Sequence, residues 1–208
     1  DQALCRQEGV DAIFAPTVKM MYPAGAQTVV TVPGIACRWE GHARPHHFQG
    51  VATVVTKLIS LVQPDKTWFG QKDYQQAALV QQLVKDLNLP GLPIVHPIVR
   101  EADGLALSSR NVYLSSSERQ AAPVLSRALQ AGVAAIRAGE RNGTRIRRHM
   151  LRVVATEPLA TVEYLAVCDP ATLEPLSLLN RQAVLLGAIR IGTVRLLDNV
   201  LTSFRRKP

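Results

Sequence analysis

The stretch Phe69-Gly-Gln-Lys-Asp-Tyr-Gln-Gln76 decides the fold, because it joins a predicted strand to a predicted helix. The short run at 67–70 predicts a strand that ends in glycine. Apolar residues at positions 77, 79, 80, 83, 84 and 87 predict a helix over 73–87. Since ligands bind at the carboxyl ends of the strands in an open parallel sheet, this turn is the first candidate binding site.

The turn also carries residue types that suit an anion. Gly70 lets the backbone approach a ligand, and the free N–H groups of the following helix attract negative charge. Lys72 adds a point charge that suits phosphate, and Gln76 lies close enough along the helix to share a pocket with Asp73. Spacing alone leaves an alternative open, in which Asp73 is only an N-cap and Lys72 is exposed to solvent.

Strands and helices alternate on both sides of this turn. The patterns predict strands at 11–15, 28–32 and 92–99, a helix over 51–62, and an irregular loop over 37–50. Such alternation over 10–99 predicts an α/β fold with a parallel sheet, in the manner of a Rossmann-like nucleotide-binding domain.

A different pattern begins near residue 100. A capping signature at Ser115 and Glu118 predicts a helix that runs to 138, and a second helix is predicted over 145–157. Strands are predicted at 162–167, 183–191 and 193–197, the last two as a hairpin around Gly192. We therefore predict a small α+β domain over 99–208 after the nucleotide-binding part at 1–98.

Two further segments could contact a ligand. The segment Arg100-Glu-Ala-Asp-Gly-Leu-Ala-Leu-Ser-Ser-Arg-Asn111 combines small hydroxyl residues with arginine, which suits closure over a polyphosphate, although an ordinary capping turn fits equally well. The loop at 41–50 contains three histidines, but only Cys37 and Glu40 are near them, too few to predict a metal site. Arg44 or His47 binding an anion and a plain surface loop both remain open.

Composition limits the class of protein. The 208 residues are 47% hydrophobic and 19% charged, which is typical of a globular chain and not of a disordered one. No apolar run approaches a membrane span, and three widely spaced cysteines predict a reducing compartment, the cytoplasm. Residues 1–99 have a net charge of +1 and residues 100–208 of +7. Such a basic half fits an anionic partner, either nucleic acid or a phosphorylated small molecule, but a solvated, Arg-rich helix face explains it equally well. A nucleic-acid binder ranks last, because no aromatic residues alternate with the arginines.

Six stretches, in order, resemble the pantothenate synthetase (pantoate–β-alanine ligase) family. Two are the sequences around Lys72 and Arg110 described above. The other four are Phe14-Ala-Pro-Thr with Tyr22-Pro23, Glu40-Gly with Arg44-Pro and His47-Phe, Leu61-Val-Gln-Pro-Asp65, and Leu196-Leu-Asp-Asn199. Each stretch alone is modest, whereas all six in register are specific.

The resemblance implies a two-step reaction in which ATP and pantoate form pantoyl adenylate, and β-alanine then displaces AMP. Mg²⁺ is implied as a companion of ATP, and no metal ligand is implied among the residues. The implied catalytic group is Lys72, Ser108, Ser109 and Arg110. The implied ATP contacts are Gly70, Gln71, Lys72, Asp73, Val99, Leu107, Ser108, Ser109 and Arg110. Gln76, Arg44 and His47 are the implied pantoate contacts, and a homodimer is the implied assembly.

Two departures from the family pattern accompany the resemblance. Gln71 stands where the family usually has glutamate, which removes a charge beside Lys72 and keeps the hydrogen-bonding shape. The His-x-Gly-His motif of the family does not occur in the sequence. The resemblance therefore predicts the C-terminal portion of such an enzyme, with an incomplete nucleotide-binding domain and no measurable turnover by itself. The alternative is a non-catalytic remnant that acts as a binding or interaction module.

Overall fold

The first part of the chain forms a helical layer on a short parallel sheet. The structure is a computed structural model that describes residues 2–202. Helices α1 to α5 span Gln2–Gln7, Val18–Met21, Pro33–Ala36, Glu40–Ala43 and His47–Val62. Strand β1 (Lys66–Gly70) leads through a 3₁₀ turn (Gln71–Asp73) into α6 (Tyr74–Asp86), and β2 (Leu92–His96) pairs with β1 in parallel. This is the strand–turn–helix unit that the sequence predicts.

The second part places helices on an antiparallel sheet. A 3₁₀ turn (Ser109–Tyr113) precedes α7 (Ser116–Ala121), α8 (Val124–Arg137) and α9 (Gly143–Val154). Strands β3 (Ala160–Cys168), β4 (Ala183–Ile191) and β5 (Val194–Thr202) form an antiparallel sheet in that order. The predicted hairpin is confirmed, and the two sheets are separate, as an α/β part followed by an α+β part requires. The boundary near residue 98 stays a prediction.

The antiparallel sheet is covered on both faces. Every residue of β4 except Arg190 is buried, and its side chains alternate between two cores. Leu185 and Ile189 pack among the side chains of α8 and α9, whereas Val184 and Leu186 pack among those of α5 and α6. The sheet therefore joins the two parts of the chain through continuous apolar contact.

Three predictions in the first part are wrong. Segments 11–15 and 28–32 are not strands in the described structure, where neither pairs with a neighbouring strand. A segment without such a partner must satisfy its backbone elsewhere, and the N–H of Val30 donates to the side chain of Thr53 on α5. The predicted loop at 37–50 contains α4 and the first turn of α5.

Proline accounts for two shifted boundaries. The helix predicted over 115–138 is two helices, because Pro123 lacks an N–H and stands at the N-cap of α8. The capping box predicted at Ser115 and Glu118 is confirmed at the start of α7, since the N–H of Ser115 donates to Glu118 at 2.8 Å. The strand predicted over 92–99 ends at His96, directly before Pro97. Helix α9 spans 143–154 instead of 145–157, and β5 continues to Thr202.

A pair of glycine substitutions tests the packing of α8 on the sheet. A β-carbon at Gly132 would lie 2.5 Å from Cδ2 of Leu185 and 3.0 Å from Cγ of Met150, whereas one at Gly50 on α5 would face open space. We expect Gly132→Ala to lower the free energy of unfolding by about 1–3 kcal/mol through overpacking. Gly50→Ala, the matched control, should raise it by about 0.5–1 kcal/mol. Urea unfolding measures both, and a stabilising Gly132→Ala would contradict the packing.

Candidate active site

A pocket lies where β1 ends, between the beginning of α5 and strand β5. It is lined by Lys72 and Asp73 of the 3₁₀ turn and by Gln76 of α6. Arg44, at the end of α4, and His47, at the start of α5, also line it. The remaining lining residues are Glu40, Phe48, Tyr74, Gln75, Tyr164, Leu186, Gly187, Leu197, Asp198 and Asn199. The pocket thus collects two cationic side chains, an imidazole and an amide at the carboxyl end of a parallel strand. We call it the first pocket.

A second pocket shares a wall with the first. Lys72 lines both, and so do Leu197 and Asp198 of β5. Ser108 and Asn111 line its opposite side, and the remaining lining residues are Leu105, Ala106, Leu125, Ser126, Arg195 and Leu196. The ammonium-bearing side chain of Lys72 is therefore common to a space beside Arg44 and a space beside Ser108.

The predicted site residues divide into two groups. Six line the pockets: Arg44, His47, Lys72, Asp73, Gln76 and Ser108. Neither pocket is lined by the other six, which are Gly70, Gln71, Val99, Leu107, Ser109 and Arg110. Gly70 and Gln71 lie in the backbone turn beside Lys72, while Val99 and Leu107 are each 55% exposed. Ser109 and Arg110 form the exposed start of the 3₁₀ turn that Ser108 caps.

The turn at Asp73 favours the binding interpretation over the capping one. Asp73 does occupy the N-cap position of α6, but its side chain makes no capping hydrogen bond. Its carboxylate instead lines the first pocket. The 3₁₀ turn shifts the start of α6 to Tyr74, so that Gln76 stands in the first turn of the helix and reaches the same pocket.

Two residues with left-handed backbone conformations flank the segment 40–45, which contains α4 and Arg44. Trp39 has a φ of 42° and His46 a φ of 68°, values that non-glycine residues adopt rarely. The indole N–H of Trp39 donates to the carbonyl of Leu173 at 3.0 Å, which fixes one end of the loop. Strained backbone of this kind persists only where its surroundings hold it, and it concentrates at ligand sites.

His47 is held neutral inside the first pocket. Burial lowers its pKa below the ordinary value, and the neighbouring Arg44 guanidinium lowers it further, while Glu40 and Asp73 act in the opposite direction. Nη1 of Arg44 lies 3.3 Å from Nε2 of His47. At neutral pH the pocket therefore offers one guanidinium beside an uncharged imidazole, which suits a carboxylate with a neighbouring hydroxyl group.

A largely buried ion pair holds Glu40, which lines the first pocket, and sequence reasoning missed this pair. Arg195 of β5 donates to Glu40 at 2.7 Å, and the hydroxyl of Tyr164 donates to the same carboxylate at 2.9 Å. The hydrogen bonds that Arg195 donates to Glu40 raise the pKa of Arg195, and burial raises the pKa of Tyr164. Glu163 accepts from both Arg195 and Arg190, which extends the network along the sheet. Glu40 belongs to a matching stretch, but its partner lies 155 residues away.

Strand β5 supplies the other residues that sequence reasoning missed. Asp198 accepts two hydrogen bonds from Arg100, at 2.7 and 2.8 Å, and its side chain is 3% exposed. Asn199, 2% exposed, bonds to the turn that carries Lys72. Asp198 and Asn199 directly follow the apolar residues Leu196 and Leu197. Two polar residues on a buried strand are the feature of the sequence that could have indicated their role.

Between residues 2 and 202, no three His, Cys, Asp or Glu side chains come together in a group that could hold a metal ion. None of the helices in that range is long and apolar enough to cross a membrane.

Fold and site together define an α/β protein with a polar pocket at the strand ends, where a lysine and an arginine stand beside carboxylates. The family model for pantoate-beta-alanine ligase matches residues 1–201. The chain therefore belongs to the pantoate–β-alanine ligase family, a family of ligases. This confirms the resemblance and the fold class.

Individual relatives agree in sequence and in structure. The chain is 52% identical to the pantothenate synthetase of Chloroflexus aggregans, covering 97% of this chain and 73% of that protein. The pantothenate synthetase structure from Thermus thermophilus superposes with a TM-score of 0.91 at 46% identity, over 96% of this chain and 72% of that one. The pantoate-beta-alanine ligase of Francisella tularensis, complexed with beta-gamma ATP and beta-alanine, superposes with a TM-score of 0.70 at 32% identity, over 97% and 68%.

Removal of the guanidinium beside His47 tests the electrostatics of the first pocket. We expect Arg44→Gln to raise the pKa of His47 above its value in the original protein, because the guanidinium that disfavours the imidazolium form is gone. As the pH falls, the variant imidazole should gain its proton at a higher pH than the original does. NMR titration of the imidazole measures this, with Arg127→Gln on the exposed side of α8 as control. An unchanged or lower pKa in Arg44→Gln would refute the assignment.

Proposed function

We propose that the natural protein that carries this sequence catalyses the ATP-dependent condensation of pantoate with β-alanine, through a pantoyl-adenylate intermediate. The observation that carries the proposal is the position of Lys72, which lines both pockets. A reaction between a carboxylate and a triphosphate needs one cation where the two substrates meet. The family assignment supports the same reaction class, and the alternative of a non-catalytic module is not favoured, because the match covers the chain almost end to end.

The first pocket is the proposed pantoate site. Arg44 would pair with the pantoate carboxylate, and Gln76 with neutral His47 would hydrogen-bond to its hydroxyl groups. Each of these side chains projects from a different turn, so that together they could fix the orientation of a small acid.

The second pocket is the proposed site of the ATP phosphates. Lys72 and Ser108 line its two sides, and both would donate to phosphate oxygens. Ser109 and Arg110 would reach the phosphates from the exposed 3₁₀ turn by closing over bound ATP, as mobile loops do in many enzymes. Gly70, Gln71 and Asp73 would contact ATP beside Lys72, Val99 would touch its adenine, and Leu107 would belong to the loop that closes over the phosphates.

The chemistry proceeds by two displacements in this proposal. An oxygen of the pantoate carboxylate attacks the α-phosphorus of ATP, and pyrophosphate leaves. The amine of β-alanine, as free base, then attacks the acyl carbon, the bond to AMP breaks, and the amine loses a proton. Negative charge develops at phosphorus in the first step, and the ammonium of Lys72 would stabilise it there. The Francisella structure, complexed with beta-gamma ATP and beta-alanine, supports ATP and β-alanine as ligands of this chain.

Mg²⁺ is proposed to arrive on the nucleotide. Mg²⁺ keeps several waters and commonly binds substrate phosphates with few protein ligands, a mode that needs no cluster of carboxylates. Asp73, which makes no capping bond, lines the first pocket directly after Lys72 in the chain, and its carboxylate would offer an oxygen ligand there.

A metal titration tests the role of Mg²⁺. We expect pantoate-dependent exchange of pyrophosphate into ATP to vanish with EDTA and to return in proportion to added Mg²⁺. Exchange at full rate in EDTA would contradict the proposal, and Ca²⁺, which is larger and less strict in geometry, serves as the comparison ion.

Location and assembly follow the same proposal. The three free thiols, Cys5, Cys37 and Cys168, support a reducing compartment such as the cytoplasm. The homodimer that the resemblance implies stays a prediction, as does the division at residue 98. Light scattering of the purified protein measures whether it forms the homodimer.

Replacement of Lys72 tests the function itself, in the natural protein that carries this sequence. We expect Lys72→Met to lower pantoate-dependent pyrophosphate exchange by about 10²–10³, the usual loss for one electrostatic stabiliser. Lys85→Met, an exposed lysine at the end of α6, is the control and should keep the original rate. Equal rates in Lys72→Met and Lys85→Met would show that Lys72 takes no part in the reaction. Exchange that does not depend on pantoate in the unchanged protein would point to another acid as substrate.

A further inference from the structure

We propose that Asn199 is a positioning residue for the ligase reaction: it clamps the 3₁₀ turn that carries Lys72 onto strand β5. The inference rests on the proposed function, because it concerns where the cation of that reaction is held. It extends the site from the residues that line the pocket to the strand that holds them.

Both polar atoms of the Asn199 side chain form hydrogen bonds with the turn. Its Nδ2 donates to the carbonyl of Gln71 at 2.8 Å and to that of Lys72 at 3.0 Å. Its Oδ1 accepts from Nε2 of Gln71 at 3.1 Å. Two main-chain bonds to successive residues fix the backbone of the turn, and with it the start of the Lys72 side chain.

No other side chain of this size fits the same position. The two carbonyls need two N–H donors on one small group, which an amide provides. Aspartate keeps the shape but places a carboxylate against two carbonyl oxygens. Alanine leaves these carbonyls without the donors, in a region where Asn199 is only 2% exposed.

Asn199 is itself rigidly placed. It pairs with Leu186 in the antiparallel sheet, and its N–H donates to Oδ1 of Asp198 at 2.7 Å. Asp198 in turn holds Arg100 through two hydrogen bonds, and Arg100 begins the segment that leads to Ser108. Adjacent residues of one strand therefore anchor both sides of the second pocket, which is the arrangement that precise sites require.

The expected effect is on the rate more than on substrate binding. An error of about 1 Å in the position of a catalytic group can cost about 10²-fold in rate. In Asn199→Ala, Lys72 is still present but no longer fixed. We therefore expect kcat for pantoate-dependent pyrophosphate exchange to fall about 10–100-fold, while KM for pantoate changes less than about 3-fold, because Arg44, His47 and Gln76 are untouched.

The experiment compares three variants of the natural protein that carries this sequence. Asn199→Ala and Asn199→Asp remove the donors with and without a change in side-chain size. Asn142→Ala is the matched control, since Asn142 caps α9 by accepting from the N–H of Arg145 at 3.0 Å, away from both pockets. Loss of a cap costs about 1 kcal/mol, so this control reproduces a loss of stability without touching the turn.

Two readouts decide the inference. Steady-state exchange gives kcat and KM, and hydrogen exchange of the peptide covering 70–76 reports whether the turn is loosened. The proposal holds if both Asn199 variants lower kcat and speed exchange in that peptide, while Asn142→Ala does neither. It is overturned if the Asn199 variants match Asn142→Ala in both readouts, or if KM alone changes.

The same design separates this inference from the function on which it rests. An unchanged protein without pantoate-dependent exchange would overturn the proposed function, and with it the catalytic role of the clamp. Hydrogen exchange at 70–76 would in that case still show whether Asn199 holds the turn in place. Should Asn199→Ala fail to fold, Asn199→Asp carries the test, because it preserves the packing volume.

Discussion

The burial of strand β4 on both faces is the constraint on which the rest of the structure depends. A strand with one solvent face needs only one covering layer, whereas β4 must receive a helical layer on each side. Helices α8 and α9 cover one face, and α5 with α6 covers the other. The beginnings of α5 and α6 are thereby brought to the edge of an antiparallel sheet, and the pocket lies in the angle between them. Packing of apolar side chains, more than any polar contact, brings Lys72 near β5.

Polar contacts then refine what packing brings together. Glu40, Arg195 and Tyr164 link the loop before α5 to the sheet, and Asn199 links the turn before α6 to it. Glu40 and Asn199 are buried and Arg195 and Tyr164 are half-buried, so an unmade hydrogen bond would carry a high cost in free energy. Buried polar groups with all partners in place favour one arrangement over near alternatives. The site owes its geometry to this second layer.

Sequence reasoning succeeded where the determinants are local. The strand–turn–helix unit around Lys72, the capping box at Ser115 and the hairpin at Gly192 each depend on residues within a few positions of one another. It failed at 11–15 and 28–32, because a strand exists only with a partner to accept its hydrogen bonds, and composition cannot report that partner. It overlooked Asn199 for a related reason. The partner carbonyls lie about 128 positions earlier in the chain, and no local pattern encodes such a distance.

The dependence on β5 has a consequence for biosynthesis. The ribosome makes the chain from its N-terminus, and β5 is the last of the described elements to appear. Until it emerges, the turn at Lys72 and the segment from Arg100 lack the strand to which both are tied. A nascent chain can therefore form α5, β1 and α6 early without possessing an organised phosphate pocket. Synthesis and assembly of the site become coupled, and an interrupted translation product is built without the arrangement that the chemistry requires.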